Sequence, residues 1–109
     1  MEQLENKELL FFHGETYKCF PYRFTIAGYC TPNQITMGIA ICSKSDNFVK
    51  AEGRRLASAR LNEHLNSKGV ITILTQVPKG QERKAFNRAA SLFQFLCKRE
   101  LIELFNVGK

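Results

Sequence analysis

Basic side chains are the residues of this sequence best placed by type and spacing to do chemistry. Lys50, Arg54, Arg55 and Arg60 fall on one predicted helix, and Lys79, Arg83, Lys84 and Arg88 cluster at the start of another. Lys84 and Arg88 are four apart, which makes them neighbours on a helix surface. Glu82 is the only acid between Lys68 and Lys98. A phosphate backbone is met by such a spread of ammonium and forked guanidinium groups. The chain as a whole is +6, with a pI near 9.4. That charge is unevenly held: residues 1–43 are net −1, residues 44–99 net +8 and residues 100–109 net −1. A concentrated basic segment attracts polyanions, whether nucleic acid, an acidic protein face or anionic lipid. The plainer role of such charge is to keep a surface soluble.

Two further places could bind an anion or a base. At Cys42-Ser43-Lys44-Ser45-Asp46-Asn47 a predicted strand runs into a helix start. Free N–H groups, two hydroxyls and Lys44 would converge there on a phosphate. Asp46 competes for the same N–H groups, and the capping preference of Ser and Asp favours simple N-capping. The second place is a sheet face with Tyr29 and Arg23 over a flat floor of Ala27, Gly38 and Ala40. With both helices predicted on the other face, this one is left open for a base to stack on. A second layer or a dimer packed there is the alternative.

Enzyme constellations are missing. The sequence holds no G-x-S-x-G, no P-loop and no H-E-x-x-H. Asp46, Glu52 and Glu63 could share a neighbourhood, which would make a nuclease built around Asp46 a third and lower-ranked reading, but Glu52 and Glu63 read as helix-surface partners for nearby arginines. Carboxylates must cluster in a cleft to count as catalytic. Cys19, Cys30, Cys42 and Cys97 form no Cys-x-x-Cys, and His13 and His64 are not spaced like zinc ligands. Free thiols in a reducing compartment follow. The expectation is a protein with no catalytic residues, no metal and no cofactor.

Elements must position these groups. At 109 residues, 44% hydrophobic and 24% charged, the chain has the size and composition of one globular domain. It has no apolar run of about 18 residues, and Met1 to Lys7 are too acidic and polar for a secretory leader. Residues 1–8 read as a flexible lead-in and 9–109 as a single domain. Leu9–Phe12 and Tyr17–Phe20 around His13-Gly14 suggest a hairpin. Tyr22–Cys30 and Ile35–Cys42 around Thr31-Pro32-Asn33-Gln34 suggest a second. In its register Cys30 faces Ile35, Gly28 faces Met37, Ile26 faces Ile39 and Phe24 faces Ile41. A helix is predicted over about Asp46–Asn66, with Phe48, Val49, Leu56 and Ala59 inward and Gly53 allowing close approach. Val70–Thr75 is a β-branched strand. Gln81 to about Asn106 reads as one long helix, with Phe86, Ala89, Ala90, Phe93, Leu96, Cys97, Leu101 and Leu104 along its core side. Its other side carries Lys84, Arg88, Lys98 and Arg99 beside Phe95 and Ile102. The predicted fold is α+β: a mostly antiparallel sheet, two hairpins plus one strand, with two helices on one face, in the order ββββαβα. Its core should include Phe24, Ile26, Ile39, Ile41, Phe48, Leu56, Ile73, Phe86, Phe93 and Leu104.

The stretch Gly38-Ile39-Ala40-Ile41-Cys42-Ser43-Lys44-Ser45-Asp46-Asn47-Phe48, followed by Lys50, Gly53-Arg54, Ala57 and Arg60, resembles a segment of small uncharacterised proteins of bacteriophages and other mobile elements. The resemblance spans residues 38–60, about a fifth of the chain. It implies a phage or plasmid origin and transfers no catalytic residue.

Together these features predict a small, basic, non-enzymatic, cytoplasmic nucleic-acid-binding protein. Its expected contacts are Arg23, Tyr29, Lys44, Lys50, Arg54, Arg55, Arg60, Arg83, Lys84 and Arg88, on DNA or RNA, with the two helices on the phosphates. The alternative is a phage or mobile-element inhibitor or adaptor that docks on an acidic host protein, for example a defence or DNA-processing factor. No membrane partner is expected. A homodimer through Phe95 and Ile102 is.

Overall fold

The computed structural model describes residues 9–18, 22–41, 50–62 and 69–106. Four strands form one antiparallel sheet in the order β1-β2-β3-β4: β1 (Leu10–Glu15), β2 (Arg23–Thr31), β3 (Gln34–Ile41) and β4 (Val70–Leu74). Helix α1 (Lys50–Asn62) connects β3 to β4. Helix α2 (Glu82–Ser91), a 3-10 turn (Leu92–Phe95) and helix α3 (Lys98–Phe105) follow. The order is βββαβαα, an α+β fold.

The β2–β3 hairpin has the register expected from its alternation. Cys30 pairs with Ile35, Gly28 with Met37, Ile26 with Ile39 and Phe24 with Ile41. Alternation puts these on one face, joined by Leu10 and Phe12 of β1 and Ile71 and Ile73 of β4. That large-residue face packs on Phe86, Ala90, Phe93, Leu101 and Phe105. Of the expected core, Phe24, Ile26, Ile39, Phe86 and Phe93 are buried, while Ile41, Leu56 and Ile73 are half-buried. Phe48 lies outside the described residues.

The first predicted hairpin takes a different form. Here β1 runs through His13 and Gly14 and pairs with β2, placing Gly14 opposite Phe24. A side chain at position 14 would collide with the rings of Phe12 and Phe24, so this glycine makes room inside a strand and turns nothing. The reversal comes later. Thr16 and Tyr22 exchange a backbone bond of 2.9 Å from Thr16 N–H, and the Tyr22 N–H donates to the buried Thr16 hydroxyl at 2.8 Å. Tyr17 and Lys18 are in no strand, and Cys19 and Phe20 lie outside the described residues.

The helices do not share a face. Helix α1 lies on the opposite, small-residue side of the sheet, where Ala57 and Leu61 pack on Ala27 and Ala40 with Phe11, Tyr29 and Leu56 around them. Small residues allow this. A methyl at Gly38 would come within 2.9 Å of the Ala57 carbonyl oxygen, and one at Gly53 would collide with the Thr25 hydroxyl. The inward stripe of α1 is therefore Gly53, Ala57 and Leu61, at i, i+4 and i+8, and Ala59 is exposed. The face is made of absent side chains, so large apolar residues are a poor guide to its phase.

The long C-terminal helix is two helices. After the 3-10 turn the backbone opens at Leu96 (φ −99°, ψ 152°) and Cys97 (φ −84°, ψ 170°), and α3 restarts. Glu100 closes the new start by accepting from the Cys97 N–H at 2.9 Å. The break resets the helical phase. Leu101 and Phe105 point inward, and Leu104, expected in the core, is 47% exposed.

Candidate nucleic-acid interface

Because α1 and α2 pack on opposite faces, the basic residues expected to work together are divided. On α1, Arg54 and Arg55 are exposed. Arg55 is engaged with Glu52, its Nε donating to Oε1 at 3.2 Å. This bond, more than the guanidinium charge, lowers the Glu52 carboxyl below its ordinary range, so Glu52 is an ion-pair partner on the helix surface. Arg60 turns inward and donates from Nη1 to the Ile39 carbonyl at 2.7 Å. Lys50 begins the helix. Lys44, Asp46, Glu63 and the whole predicted anion site at the helix start lie outside the described residues.

The predicted stacking floor is not open. Ala27 and Ala40 lie under α1, and Tyr29 is half-buried at the edge of the same cluster. The flat run of small residues is the seat of a helix. Arg23 is exposed at the first position of β2, opposite Glu15.

The other side of the sheet brings more together. Lys79, Arg83, Lys84 and Arg88 are all exposed in and before α2. Neither Lys84 nor Arg88 has an ion-pair partner among the described residues. The other described cations after α2 are occupied: Lys98 sits 4.4 Å from the centre of the Tyr22 ring, and Arg99 is 3.7 Å from Glu103. Lys18 is likewise 3.4 Å from Glu100. Lys79 and, on α1, Arg54 likewise have no ion-pair partner among the described residues, so Lys84 and Arg88 are set apart by the exposed apolar groups that follow them.

Apolar and aromatic groups continue the same line. Leu92 follows Arg88 by four residues and Phe95 follows by three more; they are 60% and 59% exposed. Phe95 meets Tyr17 edge-on, with ring centres 5.4 Å apart, and Tyr17 is 62% exposed. Gln94 fixes this arrangement. Its Nε2 donates to the Tyr17 hydroxyl at 2.8 Å, its carbonyl accepts from the Tyr17 N–H at 2.7 Å and its Oε1 accepts from the Glu15 N–H at 3.1 Å. Phe95 was expected at a dimer contact shared with Ile102. The break after the 3-10 turn separates the two, and Ile102 is half-buried. Tyr17, Leu92 and Gln94 are absent from the predicted site. The spacing of Leu92 from Arg88 could have placed it there; Tyr17 arrives only through tertiary packing.

Beside this stripe is a groove of about 410 Å³ between α2 and the β4 edge. Ile35, Ile73, Ala85, Ala89 and Phe93 contribute its apolar lining. Lys84 and Arg88 line it, as do Gln76 and Gln81.

Metal-binding chemistry finds no site among the described residues: no three His, Cys, Asp or Glu side chains come together. Cys30 and Cys97 are free thiols. Burial first, and the nearby Glu82 charge second, push the Cys30 thiol up, which makes it a poor nucleophile. The His13 Nδ1 is 2.9 Å from the Thr25 hydroxyl. No helix among the described residues is long and apolar enough to cross a membrane. No known family model, curated protein or solved structure matches the chain.

Proposed function

We propose that this chain is a non-enzymatic nucleic-acid-binding protein of phage or mobile-element origin, and that its principal contact surface is the outer side of α2 and the 3-10 turn. One observation carries the reading. The unpaired cations Lys84 and Arg88 run directly into the exposed Leu92, Phe95 and Tyr17. Along a helix, four residues advance about 6 Å, so the two cations present successive charges to one backbone. Exposed rings next to such charges suit unstacked bases, which are presented by single strands and withheld by a duplex. Arg54 lies on the far side of the sheet and is at most a secondary contact.

The test is binding of fluorescent single-stranded DNA, single-stranded RNA and duplex DNA at two salt concentrations. The expected result is tighter binding of single strands, weakened by salt as counterions return to the phosphates. Absence of binding to all three at low salt would overturn the reading and leave docking on an acidic host protein in its place.

A further inference from the structure

We infer that the groove between α2 and the β4 edge binds one nucleoside phosphate unit, its base against the apolar wall and its phosphate on Lys84 and Arg88. This rests on the nucleic-acid reading and specifies which part of the ligand the protein grips.

The size agrees. At about 410 Å³ the groove lies within the usual range for small-ligand sites, which begins near 300 Å³. The chemistry is divided as a nucleotide requires. Ile73, Ala85, Ala89 and Phe93 form an apolar wall. Ile73, Ala85 and Ala89 are only half-buried, so the wall is open to a ligand. Gln76 and Gln81 are exposed, and each offers an amide donor and acceptor to a base edge. Gln81 directly precedes α2, and its side chain makes no capping bond, which leaves its amide for this task. No acidic side chain is among the described residues lining the groove. The charge is therefore complementary to an anion, and Lys84 and Arg88 supply it without an internal competitor.

A planar base also fits the origin of the groove. Helix α2 lies chiefly over β1 and β2, so Ile73 at the sheet's β4 edge packs against the core yet stays half-buried beside the helix. A flat apolar group completes this packing better than water does, because water finds few partners on the aliphatic wall.

Two measurements test this on the whole chain. In the first, methyl NMR of the parent protein follows Ile73, Ala85 and Ala89 while adenosine, cytidine, guanosine or uridine monophosphate is added, then a short oligonucleotide. Saturable shifts at these methyls support the proposal. Tighter binding of the oligonucleotide makes the natural source a strand; equal binding makes it a free nucleotide. In the second, Ala89→Phe fills the groove while leaving its charges in place. The variant should lose about tenfold affinity for a base-containing oligonucleotide, a normal share for one base contact, and none for an abasic sugar-phosphate chain. Unshifted groove methyls in the parent overturn the proposal even if Ala89→Phe fails to fold. Equal binding of abasic and base-containing chains also overturns it. If strands still bind with steep salt dependence in those cases, the broader nucleic-acid reading survives. Saturation of the groove by an acidic peptide, with nucleotides and strands both inert, would make it a protein-docking site and overturn both.

Discussion

Arg60 separates fold from function, because its charge was expected on phosphates and the structure gives it to the backbone. Ile39 is fully buried in β3. Its N–H reaches the Gly69 carbonyl at 3.0 Å, just before β4 begins. Its carbonyl is met by the Arg60 guanidinium at 2.7 Å. Arg60→Ala removes that charged donor and leaves the carbonyl without its partner. A hydrogen bond to a charged group contributes about 1.5–3 kcal/mol, and an unsatisfied acceptor costs a comparable amount. For a domain near 100 residues this corresponds to a fall in Tm of roughly 6–15 °C. Thermal unfolding followed by circular dichroism reads the change. Affinity for a single strand, measured well below the transition, should stay within about twofold of the parent, since no phosphate contact is lost. An Arg60→Ala variant that melts like the parent and binds as weakly as a variant lacking Arg88 would return Arg60 to the phosphate contacts.

Three other outcomes follow from the packing and the caps. Phe93→Ala should cost about 3–5 kcal/mol in urea unfolding, because the ring is 7% exposed and packs edge-on against Phe105 at 5.1 Å; a loss below about 1 kcal/mol would contradict its place in the core. Gly38→Ala should cost about 1–3 kcal/mol, since its methyl would press on the α1 backbone at Ala57 and Leu61, and an unchanged denaturation midpoint would remove α1 from that sheet face. The Glu100 carboxyl is lowered chiefly by the Cys97 N–H and then by Lys18, so its stabilising contribution is present above the ordinary glutamate range and is lost as pH falls through the lowered value. The Tm difference between parent and Glu100→Gln should therefore be constant from neutral pH to about pH 5 and shrink below about pH 4; a difference that persists to pH 3 would exclude this capping charge.

The parts of the fold legible in the sequence are those with large, alternating side chains. Phe24, Ile26, Ile39 and Ile41 alternate cleanly around Pro32-Asn33, and strand period and turn chemistry gave the same register. The layering was hidden because α1 adheres through Gly53 and Ala57 to Gly38, Ala27 and Ala40. Small residues on both partners look like an open floor until a helix is laid on them. The C-terminal break was hidden for another reason. Cys97 is not a usual cap residue, and the apolar spacing across Phe93, Leu96 and Leu101 fits one continuous helix as well as two. At the candidate site, Lys84 and Arg88 were legible from their spacing. Tyr17 was not, because Gln94 brings it to Phe95 from far away in the chain.

On the proposed function, Lys84 and Arg88, on the α2 side, hold the nucleic-acid backbone. The most direct measurement is the salt dependence of single-strand binding for the parent, for Lys84→Ala/Arg88→Ala and for Arg54→Ala/Arg55→Ala, each shown to melt normally. Each single-strand phosphate contact contributes about −0.7 to the slope of log K against log salt. Losing both α2 cations should flatten the slope by about 1.4 and weaken binding at low salt, while the α1 variant keeps a slope near the parent's. An unchanged slope in the α2 variant, or the larger loss in the α1 variant, would contradict the claim.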